Sequence, residues 1–309
     1  MLSRTHSTFQ LTLVLVGLCF FGSMFITNDV SLLTFVPFTF VVLSRLGADV
    51  RRSLLIPVVC MQTIAANLGS MLTPIGNPQN LYLYGKSGMS IGGFVLLMLP
   101  YTLVSLLLLL AWAALVCRKT SAVLSADELV SSSASQGDQK IILLYLVLFA
   151  VCLLSVIRVL PYGIAFAAVL VCALFADPHT LQAVDYSLLL TFVAFFIFIG
   201  NLGRIPAFSG WLQEFLTGRE VLVAVLASQV TSNVPAALLL SGFTAETQAL
   251  IIGTNLGGLG TLIASMASLI SYRQIARELP QGKKQYFGLF TLSNLIFLAI
   301  LLGVWFLLR

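Results

Sequence analysis

Runs of apolar side chains, separated by short polar breaks, make up almost the whole of this sequence, and that pattern leaves a chain few ways to fold. Hydrophobic residues are 59% of the 309 and charged residues 9%, against about 45–50% and about 25% in soluble domains. A soluble domain of this size has too much surface to leave so nearly uncharged. Most of the chain must face lipid or other apolar helices, so the expected fold is an all-α polytopic membrane protein. The net charge of +5 does not point to nucleic acid, because the basic residues sit in the breaks, where membrane topology puts them.

The breaks fall at 45–53, 85–91, 118–140, 158–161, 177–186, 203–219, 244–247 and 273–285. The segments 92–117, 140–157, 186–202 and 286–308 read as ordinary spanning helices, and 162–176 as a slightly short one. The break at 118–139 is rich in Ser, Asp and Gln and reads as a cytoplasmic linker between two halves. The five cysteines, Cys19, Cys60, Cys117, Cys152 and Cys172, lie singly in apolar segments, and His6 and His179 lie in polar breaks. No metal-ligand spacing and no nucleophile–base pair can be assembled from them, so neither an enzyme nor a cofactor is expected. Arg4 and the apolar run after it resemble a signal peptide, but no small-residue cleavage site with a polar mature domain follows.

The remaining segments are unusual. Runs 11–26 and 30–44 are separated only by Thr27-Asn28-Asp29, and 219–231 and 234–243 only by Ser232-Asn233. Arms of about 24 Å or less are too short to cross a bilayer comfortably. Short apolar arms meeting at a polar tip predict re-entrant hairpins over 11–44 and 219–243, with tips buried in protein at membrane depth. Each hairpin is followed by an apolar stretch rich in Gly, Pro or Asn, 54–84 and 246–272. These are candidate broken helices, since Pro removes a backbone donor and Gly permits unwinding.

The broken helices align without a gap, Ala66–Tyr84 on Thr254–Tyr272, matching Asn67 with Asn255, Gly69 with Gly257 and Thr73 with Thr261. The tips correspond as well, Thr27-Asn28 with Ser232-Asn233. Two inverted repeats are expected: 1–117, incomplete, and 140–309. Asn and Thr oxygens, unwound carbonyls and half-helix N-termini together suit a small cation beside an anionic substrate. The alternative is that Gly and Pro serve only kinks and close packing. With residues 1–10 cytoplasmic, that side collects Arg4, Arg45, Arg51, Arg52, Arg118, Lys119, Lys140, Arg273, Arg277, Lys283 and Lys284. The outer side keeps Lys86, Arg158, Arg204, Arg219 and Arg309, in keeping with the positive-inside rule.

Thr27-Asn28-Asp29, the run NLGSMLTPIGNPQN at 67–80, SNVP at 232–235 and TNLGGLGTLIASMASL at 254–269 together resemble the citrate-transporter-like branch of the ion transporter superfamily. That branch includes divalent-anion:sodium symporters, arsenical pumps and sodium/proton antiporters. The resemblance implies a dimeric elevator-type secondary transporter, with substrate and coupling Na⁺ or H⁺ held between hairpin tips and broken helices. By position, Asn28, Gly69, Thr73, Pro74, Asn77 and Pro78 would form one half-site. Ser232, Asn233, Pro235, Thr254, Asn255, Gly257, Thr261 and Ser265 would form the other.

Two departures from the family pattern stand out. Dicarboxylate members carry Ser-Asn-Thr at both tips, whereas this chain has Thr27-Asn28-Asp29 and Ser232-Asn233-Val234. Asp29 is closer to the arsenical-pump and antiporter relatives. An ionisable residue at membrane depth is costly and by default a functional candidate; capping the second arm is the plainer role. The stretch before Asn28 is also shorter than that between Lys140 and Asn233 by room for two or three helices. The sequence therefore reads as lacking N-terminal scaffold helices. The expected function is anion transport coupled to Na⁺ or H⁺ at the cell (plasma/inner) membrane, in a homodimer within the lipid bilayer. A cation/proton antiporter and a non-transporting membrane subunit are the alternatives.

Overall fold

The computed structural model describes residues 7–118 and 139–309, apart from 177, 183, 185 and 203. Among the described residues the chain is helical with no strand. The helices are α1 (Thr8–Ile26), α2 (Asn28–Ser44), α3 (Ala48–Ser70), α4 (Pro78–Ser87), α5 (Ile91–Cys117), α6 (Gln139–Val156), α7 (Tyr162–Ala176) and α8 (Pro178–Gln182). They continue with α9 (Tyr186–Leu202), α10 (Pro206–Leu216), α11 (Glu220–Thr231), α12 (Asn233–Leu240), α13 (Thr247–Gly257), α14 (Met266–Glu278) and α15 (Lys283–Leu308). Helices α1, α3 and α5 and the segment Pro280–Leu308 are long and apolar enough to cross a membrane. The chain is a multi-pass membrane protein. The linker expected at 118–139 lies, apart from its two end residues, outside the described residues.

The described residues form two compact units, one from the chain up to Val130 together with Phe198–Arg309, the other from Ser131–Ile197. In the smaller unit α7 packs on α6 and α8, and the Tyr145 hydroxyl bonds that of Thr180 at 2.9 Å. The larger unit is built around α3. From Leu54 to Ser70 every residue of that helix except Pro57 is buried, and α1, α2, α5, α14 and α15 pack around it. A helix buried on all sides belongs to a core rather than a lipid face, yet this one carries Gln62, Thr63, Asn67 and Ser70.

Gln62 shows how the first hairpin folds. Its amide donates to the carbonyl of Leu15 at 3.1 Å and of Phe35 at 3.5 Å, so α1 and α2 lie side by side after reversing at Thr27. The first arm is longer than its apolar run indicates. Ser7 caps α1 by accepting the Gln10 N–H at 3.2 Å, which recruits Thr8, Phe9 and Gln10 into the helix. At 19 residues α1 reaches about 28 Å, so the expectation that this arm is too short to span does not hold. The breaks at 177–186 and 203–219 likewise contain helices α8 and α10. In α10 Pro206 opens the helix, Leu212 and Leu216 are buried, and Trp211 is exposed, an amphipathic spacing that a search for apolar runs overlooks.

Candidate functional site

The two hairpins turn on one residue each, with the same backbone. Thr27 has φ 68° and ψ 153°, and Ser232 has φ 74° and ψ 154°. A residue with a Cβ is strained there, and such strain persists only where surrounding contacts impose it. Those contacts match between the halves. The first amide beyond each tip donates to the broken segment, Asn28 N–H to Gly76 and Asn233 N–H to Ala264, both at 3.0 Å. The Thr73 hydroxyl donates to the Met24 carbonyl at 2.6 Å, and that of Thr261 to the Gln229 carbonyl at 3.1 Å. Gly69 lies against the Phe20 main chain and Ser23, and Gly257 against Val225 and Ser228. Under the alignment that pairs Asn67 with Asn255 and Asn28 with Asn233, each of these three contacts in one half has its counterpart in the other.

Between the tips runs a buried amide and hydroxyl network. Asn28 Nδ2 donates to Asn67 Oδ1 at 3.1 Å, and Asn67 Nδ2 to Ser265 Oγ at 3.0 Å. Asn77 Nδ2 donates to Asn255 Oδ1 at 3.1 Å, and Asn255 Nδ2 to Asn80 Oδ1 at 2.6 Å. Ser70 joins the two chains, accepting from Asn77 and donating to the Asn67 carbonyl. The links Asn67–Ser265 and Asn77–Asn255 connect opposite halves through equivalent positions. Buried amides left unpaired would cost about 1–3 kcal/mol each, so the network fixes how the two broken helices meet.

Local sequence explains the helix starts that point here. Asn77 caps α4 by accepting the Asn80 N–H at 2.9 Å, with Pro78 in the first turn, and Ser265 caps α14 by accepting the Ser268 N–H at 3.2 Å. Both side chains thus cap a helix and bond across the halves. With α2 and α12 beginning at the tips, four helix N-termini carry partial positive charge into this region. Asp29, in the first turn of α2, supplies the negative charge. Among the described residues, the buried oxygens Asn28 Oδ1 and Asp29 Oδ1, on consecutive residues, have no hydrogen-bond partner. Both oxygens are acceptors, of the kind that a donor hydrogen or a hard cation satisfies.

Other expected residues take different places. Thr73 and Thr261 spend their hydroxyls clamping hairpin to broken helix. Thr254 is buried with its hydroxyl bonded to Leu250 one turn back. Gly69 and Gly257 face the hairpin arms, where each allows close packing. No hydrogen bond made through a side chain of Pro74, Pro78 or Pro235 is possible, and these shape the backbone alone.

Several contributors are absent from the expected set: Ser23, Ser70, Asn80, Ser228, Gln229 and Ser268. Ser23 and Ser228 stand at the same distance before their tips, so extending the hairpin alignment would have found them. Gln229 has no such signal, because its pair is Met24. Its amide donates to the carbonyls of Gly257 and Leu259 at 3.0 and 2.9 Å and accepts the Thr261 N–H at 2.9 Å. The second hairpin is therefore stitched to its broken loop more tightly than the first. Across the halves, the Tyr82 hydroxyl bonds Ser241 Oγ at 2.9 Å and Lys86 donates to the Ser241 carbonyl. Partial burial pulls the Lys86 pKa below that of a free lysine.

Comparison with known proteins agrees with this architecture. Residues 1–251 match the model of the citrate transporter family. The inner membrane protein YbiR of Escherichia coli is 34% identical over 259 residues, which is 81% of this chain and 66% of that protein. An uncharacterized transporter of Methanocaldococcus jannaschii is 31% identical, covering 85% of this chain and 70% of its own. A 46 kDa membrane protein of Mycobacterium leprae is 24% identical over 86% of this chain and 70% of its length.

Proposed function

The chain belongs to the citrate transporter family and is a membrane transporter, and we propose that it moves a small inorganic or organic anion across the cell (plasma/inner) membrane coupled to Na⁺ or H⁺. The observation that carries this reading is the matched pair of strained tips, Thr27 and Ser232, each tied by its next amide to its own broken segment. Two inverted repeats with alternating access between them explain why the same contacts recur at equivalent positions. The substrate's negative charge faces the four helix N-termini, and amides and hydroxyls orient it. Among the described residues no arginine enters the network, so recognition relies on neutral donors and dipoles. The coupling ion is assigned to the first tip, where Asn28 Oδ1 and the Asp29 carboxylate offer oxygen ligands. An elevator-type motion in a homodimer follows from the family resemblance.

The test is uptake of labelled anions into proteoliposomes under an imposed Na⁺ or H⁺ gradient. Gradient-dependent uptake that disappears in Asn28→Ala supports the proposal; uptake indifferent to both gradients overturns it. One observation favours a second reading, cation/proton antiport. Asp29 has Val234 at the paired tip, so a single carboxylate serves both halves and can exchange a proton for a cation. Ion flux with no anion present, lost in Asp29→Asn, would identify that activity instead.

A further inference from the structure

A pocket of about 420 Å³ opens at the base of the first hairpin, between the α2–α3 turn and the α14–α15 turn. Its floor is apolar, formed by Leu46, Leu55 and Ile56, which are 6%, 3% and 2% exposed. Its wall carries Arg51 and Arg52 from the first turns of α3. Among the described residues neither arginine makes an ion pair, although Asp49 stands in the same helical turn; the ion pair at this end joins Arg277 to Glu278. Two adjacent guanidiniums beside an apolar floor suit an anion that also has apolar matter to bury.

The position fixes which kind of anion. Two long apolar helices start at the rim, α3 at Ala48 and the span from Pro280, so the pocket lies where hydrocarbon gives way to water. From Ser44 on the rim, α2 runs inward with Val41 and Phe38 exposed, 53% and 37%, an apolar lane for acyl chains. The first tip is at the opposite end of α2, a helix of 17 residues and so about 25 Å away. This is not the transport site.

We propose that the pocket binds the phosphate headgroup of an anionic phospholipid, with Arg51 and Arg52 on the phosphate and the acyl chains along α2. The lipid ties the root of the first hairpin to the end of the second broken helix. The proposal does not depend on which solute is carried.

The test is native mass spectrometry of the purified full chain, washed in detergent and titrated with phosphatidylglycerol or phosphatidylcholine. Retention of phosphatidylglycerol over phosphatidylcholine is expected, with a roughly 30-fold loss of affinity in Arg51→Gln/Arg52→Gln. That fold-change corresponds to about 1 kcal/mol for each arginine. Equal retention of the two lipids by the unmodified protein overturns the proposal, and so does unchanged phosphatidylglycerol binding by the double variant. Displacement of the lipid by inorganic phosphate at millimolar concentration would overturn the lipid assignment in favour of a free-anion site. Should the glutamine variant not fold, Arg51→Lys/Arg52→Lys, which keeps the charge, is expected to bind phosphatidylglycerol within a few-fold of the unmodified protein. Complete loss there would count against a charge-based site.

Discussion

Gly69 and Gly257 occupy paired positions, yet an added methyl group has different consequences at each. At Gly69 a Cβ would sit 2.0 Å from the Phe20 carbonyl oxygen and 2.8 Å from its carbon, with Ser23 Oγ at 2.7 Å. Ordinary contact begins near 3.5 Å, and the obstacle is main chain, so α1 must withdraw from α3 by about 1.5 Å. Overpacking of this kind costs typically 1–3 kcal/mol, and Gly69→Ala belongs at or above the top of that range. At Gly257 the nearest atoms are Ser228 Oγ at 2.6 Å and Cβ at 2.8 Å, with Val225 Cα at 3.1 Å. These are mostly side chain, so Gly257→Ala is expected to cost about 1–2 kcal/mol. Gly17, with nothing within 4 Å of its Cβ position, is the control, and Gly17→Ala should be neutral or up to about 1 kcal/mol stabilising.

Thermal unfolding of the purified proteins should rank Gly17→Ala at or above the unmodified chain, then Gly257→Ala, then Gly69→Ala. Double variants sharpen the test. Ser228→Gly removes both close atoms and should recover part of the Gly257→Ala loss, less about 1 kcal/mol for a glycine inside α11. Ser23→Gly should not rescue Gly69→Ala, because the Phe20 carbonyl remains. A Gly69→Ala protein as stable as the unmodified one, or one restored by Ser23→Gly, would refute this account of the hairpin packing.

Thr73→Val removes the bond to the Met24 carbonyl and should cost about 1 kcal/mol of stability, while Thr73→Ser should restore both stability and uptake. If serine restores neither, the threonine is not a clamp. Gln229→Met makes the second hairpin like the first, and amide hydrogen exchange in the loop 258–265 should rise selectively; unchanged protection would show that the stitching does not hold that loop. Asn255→Leu removes the bonds to Asn77 and Asn80 and one to the Ile251 carbonyl, leaves Asn80 Oδ1 unpaired, and should destabilise by about 2–4 kcal/mol. A neutral result by thermal unfolding would mean that the network does not hold the halves together. Asp29→Asn should flatten the pH dependence of gradient-driven transport, measured as uptake from pH 5 to pH 8, and a profile that is unchanged would remove Asp29 from the coupling step.

The sequence by itself determined the environment and most of the helices, because both depend on local quantities. Long uncharged runs have no stable place but a bilayer or an apolar core, and Gly and Pro interrupt helices wherever they fall. The pairing of Asn67 with Asn255 and of Asn28 with Asn233 was legible for the same reason: polar side chains in apolar segments are conspicuous. Tertiary structure decided what those residues do. Asn67 meets Ser265 across 198 positions and Asn77 meets Asn255 across 178, and no local rule connects residues so far apart. The expected ligands Thr73 and Thr261 became clamps because the carbonyls at Met24 and Gln229 came within reach only after each hairpin reversed. Ser23 and Ser228, ordinary small residues in the sequence, acquired importance from the glycines packed against them. The positive φ at Thr27 and Ser232 had no sequence signature either, since both residues ordinarily avoid it. The amides of Asn28 and Asn233, held by the carbonyls of Gly76 and Ala264 in the broken segments, help keep the backbone there.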